Sequence, residues 1–323
     1  MDTLLLQKDL IFEIKQQVEN RDPSLYSHVC IYSGEFPIDE NTISVVMTSS
    51  NRSKQTFFTL EKFKNSSYKN VQVIIVDDST HDPITEDILR LQNFPINIDL
   101  INIKRENKKW HNPLVNYNIG FNYISGGKII IQNAEVVHVG DVLQFVNDVV
   151  KDDNNYYVFD VKASSNYDTN EQIYNSNINT IEIFNEKYFE QWYQSKHEAN
   201  RNYHFLTAIH KKTFSKINNF GYDCTMGTCY DDDEFVLKII SKNINIVNIW
   251  HDEFLVGGIH LFHGNAGLTW DNGKEHNVIL FMIKKRIYYT IFDYIDVTED
   301  KDNFENKFKI LYLVYKLTID LSK

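Results

Sequence analysis

The chain has 323 residues, of which 42% are hydrophobic, and carries a net charge of -11. That length holds one large domain or two, and that composition supports a sizeable globular core. The acidic balance, with no Lys/Arg stripe, excludes nucleic-acid binding by phosphate neutralisation and argues against docking on an anionic membrane surface.

The amino terminus, MDTLLLQKDLIFEIKQQ, lacks a basic n-region, and Gln7, Lys8 and Asp9 break its apolar run, so no signal peptide is expected. No stretch reaches the roughly 18 uninterrupted apolar residues of a membrane span. The best candidate, FKILYLVYKLTIDL, is short and contains Lys316. Cys30, Cys224 and Cys229 give neither a disulfide framework nor zinc-site spacing. A cytoplasmic protein is the expectation.

Leu4, Leu5, Leu6, Leu10, Ile11 and Ile14 recur near helical spacing and predict a helix in an N-terminal extension, residues 1–40, with a loop at Asp22-Pro23-Ser24. From Ile43, ISVVMT is apolar throughout, as a strand buried on both faces is. Ser53 can cap a helix with Phe57, Leu60 and Phe63 on one face, and Asn65-Ser66-Ser67 ends it. VQVIIV is the next strand, running into Asp77-Asp78, and NIDLINI (97–103) a third. Pro113 opens a helix whose Val115, Ile119 and Tyr123 face inward, and Gly126-Gly127 stops it. KIIIQ then leads to Asn133-Ala134-Glu135, and Asp141 starts a helix through Val142, Phe145, Val146 and Val149. This βαβαβ order predicts an α/β fold with a right-handed, mostly parallel sheet. Residues 152–202 are polar, rich in Asn and Tyr, and show no assignable period. Asp231 to Ile240 reads as a helix with acids in its first turn, Ile244–Trp250 as a strand, and 275–323 as a helical C-terminal extension.

In open α/β sheets ligands sit beyond the carboxyl ends of the strands. Ser49, Ser50 and Asn51 follow the first strand and Asp77 and Asp78 end the second, which suits a nucleotide and equally suits ordinary turns. No P-loop, GxGxxG or GxSxG is present, which removes the obvious NTPase, dinucleotide dehydrogenase and α/β-hydrolase readings.

Four blocks in order resemble family 2 glycosyltransferases, which have the GT-A fold, over roughly residues 42–265. The first, Ile43 to Asp82, corresponds to the nucleoside-binding segment; the resemblance implies that Asp77 contacts base or ribose, with Asp78 and the Thr48, Ser49, Ser50 and Asn51 loop lining the pocket. Ser50 stands where many relatives have Tyr. The second block, Asn112-Pro113 through Asn118-Ile119-Gly120-Phe121, is similar to the family's NP…RN.G segment and reads as scaffold. The third, Asn133-Ala134-Glu135, occupies the place of the Asp-x-Asp metal motif, so Glu135 is the implied ligand of Mn²⁺ or Mg²⁺, with Asn133 in place of the first acid. The fourth, GYDCTMGTCYDDDEFVLKI (221–239), is similar to GFDE…(E)DxDLxLR. Matching Phe235 and Leu237 to the two leucines puts Asp232 on the catalytic aspartate, a general base for the acceptor hydroxyl. A metal-binding His follows the catalytic acid in many such enzymes; His263 is the choice here, His260 the reserve, and His251 with Asp252 a weaker candidate.

The resemblance therefore implies a GT-A domain over residues 41–274 that moves a sugar from a nucleotide-sugar donor, a UDP-sugar, to a hydroxyl of a glycan, protein or small molecule, with inversion and metal assistance. The terminal extensions are expected to pack on the core or to make a homodimer, and the Tyr-rich middle to line the acceptor cleft. Two alternatives accompany this reading. One is a nucleotide-sugar-binding protein without turnover, motivated by Ser50 and Asn133. The other is a nucleotidyltransferase, for which SSNRSK lacks the expected glycines.

Overall fold

The computed structural model describes residues 2–32, 34–176, 189–196, 198–264, 274–291 and 293–320. Two short helices, α1 (Asp2–Leu6) and α2 (Lys8–Glu19), lead into strand β1 (Tyr26–Tyr32). Alternation follows: β2 (Ile43–Ser49), α3 (Ser53–Phe63), β3 (Val71–Asp77), α4 (Glu86–Gln92), β4 (Asn97–Ile103), α5 (Leu114–Phe121), β5 (Lys128–Asn133), β6 (Val136–Val139) and α6 (Val142–Val149). The second half adds β7 (Asn155–Phe159), β8 (Val161–Ser164), α7 (Tyr167–Tyr174), β9 (Phe189–Gln194), β10 (Leu206–His210), α8 (Lys211–Phe214), α9 (Asp231–Ser241), β11 (Asn245–Ile249), α10 (His251–Phe254), β12 (Gly257–His260), α11 (Lys274–Ile291) and α12 (Phe304–Asp320).

The strands make two sheets, one ordered β1-β4-β3-β2-β5-β10-β7-β11 and a smaller one ordered β6-β12-β8-β9. The four central strands β4-β3-β2-β5 are parallel, as the alternation of strand and helix predicts. The sheet is mostly but not purely parallel: β11 also runs parallel to β7, whereas β1 runs antiparallel to β4, and β10 antiparallel to both β5 and β7. β1 comes from the N-terminal extension, and β10 returns from residues 152–202, whose polarity hides any strand period.

β2 and β3 are buried almost end to end, and their side chains divide between two cores. Val46, Ile74 and Val76 face α5 and the terminal helices, while Val45, Met47, Val73 and Ile75 face α3 and α4. Each such buried aliphatic side chain contributes about 1.5–3 kcal/mol. α5 is buried on every side. It comes close enough to the sheet that a Cβ on Gly120 would meet Val46 Cγ1 at 2.8 Å and Val76 Cγ2 at 3.1 Å. The helix stops at Phe121, and Gly126 serves the close approach of two backbones, since a Cβ there would lie 2.0 Å from the Thr42 carbonyl oxygen.

Both terminal extensions pack on this core. α2 buries Ile11, Phe12, Ile14 and Val18, and the C-terminal segment buries Leu280, Ile283, Ile287, Phe304, Phe308 and Leu311 in the same cluster. Lys284 of α11 is fully buried and pairs with Asp223 and with Glu234 at 2.9 Å. Among the described residues no helix is long and apolar enough to cross a membrane.

Candidate active site

Strand register assembles the site. Ser49 pairs with Asp77 and Thr48 with Asn133, so the carboxyl ends of β2, β3 and β5 bring these side chains into one row. Asp77 is buried; the Ser79 hydroxyl donates to its Oδ1 at 2.7 Å and the Ile84 amide to its Oδ2 at 3.1 Å. Burial pushes its carboxyl up to about 6, although those donors oppose the shift. Asp78 faces the other way, accepting from Arg105 at 2.6 Å and pairing with Lys108. It anchors the chain after β4.

The loop after β2 is rigidified by its own polar side chains. Asn51 adopts a left-handed backbone (φ +57°) and its Oδ1 accepts from the amides of Thr80 at 2.8 Å and His81 at 3.0 Å. The Ser50 hydroxyl donates to the Asp78 carbonyl at 3.2 Å. Ser53 does not cap α3 with its own side chain as expected. Asp82, from the loop after β3, accepts from the Ser53 amide at 2.9 Å and from its hydroxyl at 2.7 Å. Two loops far apart in sequence thus form one wall.

Glu135 lies at the junction of the two sheets, fully buried. The pairing of Val136 with His260 in β6 and β12 sets His260 Nε2 3.1 Å from Glu135 Oε1, with His263 Nε2 at 3.6 Å. The expected His263 and the reserve His260 therefore both approach the same carboxylate. Arg52 Nη1 sits 2.5 Å from that oxygen. Burial alone would raise the Glu135 carboxyl, but Arg52, His260 and His263 hold it well below the usual carboxylate range. Burial, followed by the charge of Arg52, pushes His263 down to about 4, so its ring is neutral at pH 7. Glu135 Oε2 and His263 Nδ1 are buried without a hydrogen-bond partner. One carboxylate and two imidazoles, with ligand atoms within 4.8 Å of one another and the second carboxylate oxygen unpartnered, fit a divalent cation. Asn133 is held between Tyr117, whose hydroxyl donates to its Oδ1 at 3.1 Å, and Glu135, toward which its Nδ2 points at 3.5 Å.

The acids of α9 divide by environment. Cys229 and Tyr230 just before them have φ of +63° and +66°, a conformation costly for non-glycine residues and common at functional sites. It is held by Asn112 and Asn277, whose Nδ2 atoms donate to the Cys229 carbonyl at 3.3 and 3.0 Å. Asp231 is buried; burial first and the charge of Asp232 second push it up to about 7. Asp232 is partly exposed, its side chain 27% accessible, with Oδ1 2.9 Å from His204 Nδ1. Burial would lower the His204 pKa, but the charges of Asp232 and Asp231 raise it on balance. Tyr203 donates to Asp233 at 2.6 Å, and Glu234 turns inward to Lys284.

Tyr117 links the two halves: its hydroxyl reaches Asn133 and its ring stands edge-on to His204, centroids 4.9 Å apart. Asn118 fixes the Phe220 backbone in both directions, at 3.0 Å and 2.9 Å, which places the segment before α9. His251 belongs elsewhere, with Nδ1 2.6 Å from Asp160. Arg52, His204 and Tyr117 were not singled out for this site by the sequence. Arg52 alone left a signal, as a cation in the loop after the first strand. Of the Tyr-rich stretch expected to line the acceptor cleft, residues 177–188 and 197 lie outside the described residues.

The family described as glycosyl transferase family 2 matches residues 44–218 of this chain. No curated protein sequence matches it. Among solved structures, S. aureus TarS residues 1–349 in complex with UDP aligns with a TM-score of 0.52 at 11% identity, covering 84% of this chain and 69% of that one. The same protein in complex with UDP-GlcNAc gives 0.51 at 11% identity, covering 84% and 70%. Against a longer TarS structure the TM-score is 0.48 at 11% identity, and the alignment covers 84% of this chain but 42% of that one.

Proposed function

Since this chain belongs to glycosyl transferase family 2, and is therefore a glycosyltransferase taking its glycosyl group from a nucleotide sugar, we propose that the donor is a UDP-sugar and the transfer inverting and metal-assisted. The observation that carries the reading is the convergence of Asp77, Glu135 and Asp232 on one end of the sheet, from segments more than fifty residues apart. The UDP seen in the TarS complex, a protein of the same fold, supports the choice of base.

Asp77 holds the nucleoside, in a pocket shaped by Thr48, Ser49, Ser50, Asn51 and the chain anchored at Asp78. Glu135 with His260 and His263 would hold Mn²⁺ or Mg²⁺, with Asn133 orienting Glu135. Such a cation, when bound, offsets charge on the departing diphosphate. Arg52 puts a fixed positive charge at the same place. Asp232 accepts the proton of the acceptor hydroxyl as its oxygen attacks the anomeric carbon and the bond to the diphosphate breaks. His204 flanks that carboxylate, its Nδ1 2.9 Å from Oδ1. A panel of nucleotide sugars, followed by nucleotide release, tests the donor class: release from UDP-sugars is expected, and release confined to GDP- or CMP-sugars would overturn the choice of UDP.

The Asp77 carboxyl gives a pH signature. With its pKa raised to about 6, Asp77 is protonated below that pH and accepts fewer hydrogen bonds from a nucleoside. UDP affinity should therefore rise between pH 5 and pH 7 and then level off. Calorimetry across that range measures it; the slope should vanish in Asp77→Asn, and a slope unchanged in that variant would remove Asp77 from the pocket. The sign for stability is opposite. A raised carboxyl pKa means that the folded chain binds more protons than the unfolded one, so this group's contribution falls as pH rises from about 4 to about 6.

A further inference from the structure

Away from the active site, β1 and β4 bring three unlike donor side chains to one point at the edge of the main sheet. His28 and Cys30 are two residues apart on β1 and so share a face, and Cys30 is the direct register partner of Asp99 on β4. Cys30 Sγ lies 3.2 Å from Asp99 Oδ1 and 3.5 Å from His28 Nε2, and His28 Nε2 lies 2.8 Å from the same Asp99 oxygen. Zinc bonds of about 2.0–2.3 Å place tetrahedral ligand atoms about 3.3–3.7 Å apart, so two of the three edges are near that spacing and the third opens by roughly half an ångström.

The surroundings fit an ion as well as the ligands do. Asp99 is buried, and its second oxygen accepts from Gln72 Nε2 at 2.7 Å, a contact that orients a carboxylate for ligation. The His28 ring packs against Tyr123, centroids 4.1 Å apart, which fixes its plane. β1 is the terminal strand of the sheet, and both His28 and Cys30 are partly exposed, which leaves a path for the ion and a fourth position for water. One imidazole, one thiolate and one carboxylate form a borderline-to-soft set that selects Zn²⁺ over Mg²⁺ or Ca²⁺.

We propose that His28, Cys30 and Asp99 form a second metal site, for Zn²⁺, separate from the Glu135 cluster and serving to tie the N-terminal strand to the sheet. Binding displaces the thiol proton and replaces the Cys30–Asp99 hydrogen bond by metal–sulfur and metal–oxygen bonds. An ion held this way stabilises the folded chain through mass action.

Cobalt reads the site directly, because a thiolate ligand gives a near-ultraviolet charge-transfer band that the sulfur-free Glu135 cluster does not. In full-length protein carrying Cys229→Ser, titration with Co²⁺ should produce that band, saturating at about one ion per chain, with Zn²⁺ displacing it. Glu135→Ala should leave the band intact, and Cys30→Ser should abolish it. His28→Ala, which keeps the thiol, should weaken cobalt binding about tenfold or more and serves if the Cys30 variant fails to fold. Absence of the band at saturating Co²⁺, its survival in Cys30→Ser, or unchanged affinity in His28→Ala would each overturn the assignment.

Discussion

Asp232→Asn is expected to lower glycosyl transfer by roughly 10²–10⁴-fold while leaving UDP binding nearly intact. Asparagine keeps the shape of the side chain and removes the negative charge that takes the acceptor proton. The position tolerates the change, because Asp232 is partly exposed and, among the described residues, its one close ionic partner is His204. Structural damage is therefore not the expected cause of lost turnover. The variant also separates two carboxylates. Asp231, buried and pushed up to about 7, is the neighbour that could otherwise serve as base near neutral pH. If Asp231 held that role, Asp232→Asn would retain turnover. Initial rates of nucleotide release with a saturating UDP-sugar and acceptor give the answer, and wild-type rates in the variant would sink the assignment.

Lys284→Met is expected to destabilise the protein by about 3–5 kcal/mol, the range found when one member of a buried ionic cluster is deleted. Lys284 is fully buried between Asp223 and Glu234, and Lys238 pairs with the neighbouring Asp296 at 3.3 Å. Methionine fills most of the volume but leaves two buried carboxylates without their shared cation. The loss should depend on pH. Burial pushes Asp223 up to about 6 despite Lys284, so protonating it at low pH removes part of the uncompensated charge. The deficit should then be larger at pH 8 than at pH 5. Denaturant unfolding at both pH values measures it, and a deficit below about 1 kcal/mol, the scale of an exposed ion pair, would contradict the account. Because Glu234 sits on α9 two residues from Asp232, activity should fall with stability.

The parts of the fold legible in sequence are those built from local signals. The run from Ile43 to Asp77 announced itself through two fully apolar strands around an amphipathic helix, and the acids of α9 through their first-turn position. Residues that meet across long gaps left no such mark. His260 reaches Glu135 because β12 pairs with β6, and VVHV between a polar turn and Gly140 offered too little to read as a strand. His204 reaches Asp232 from the end of the polar middle, where no period guided the reading. The edge strand β1 carries a weak strand signal although Tyr26, Val29, Ile31 and Tyr32 favour strands, because half-burial blurs its alternation. Nothing local in the sequence marks Lys284 as buried; its burial follows from how α11 meets α9.

In the proposed donor site Asp77 takes the nucleoside and Glu135 with its histidines brings a cation to the diphosphate. Calorimetric titration of UDP with and without Mn²⁺, in wild type and Glu135→Ala, tests it most directly. Mn²⁺ should strengthen UDP binding about tenfold or more in wild type and leave Glu135→Ala unaffected. Equal UDP affinity in EDTA and in Mn²⁺, with Glu135→Ala indistinguishable from wild type, would contradict it.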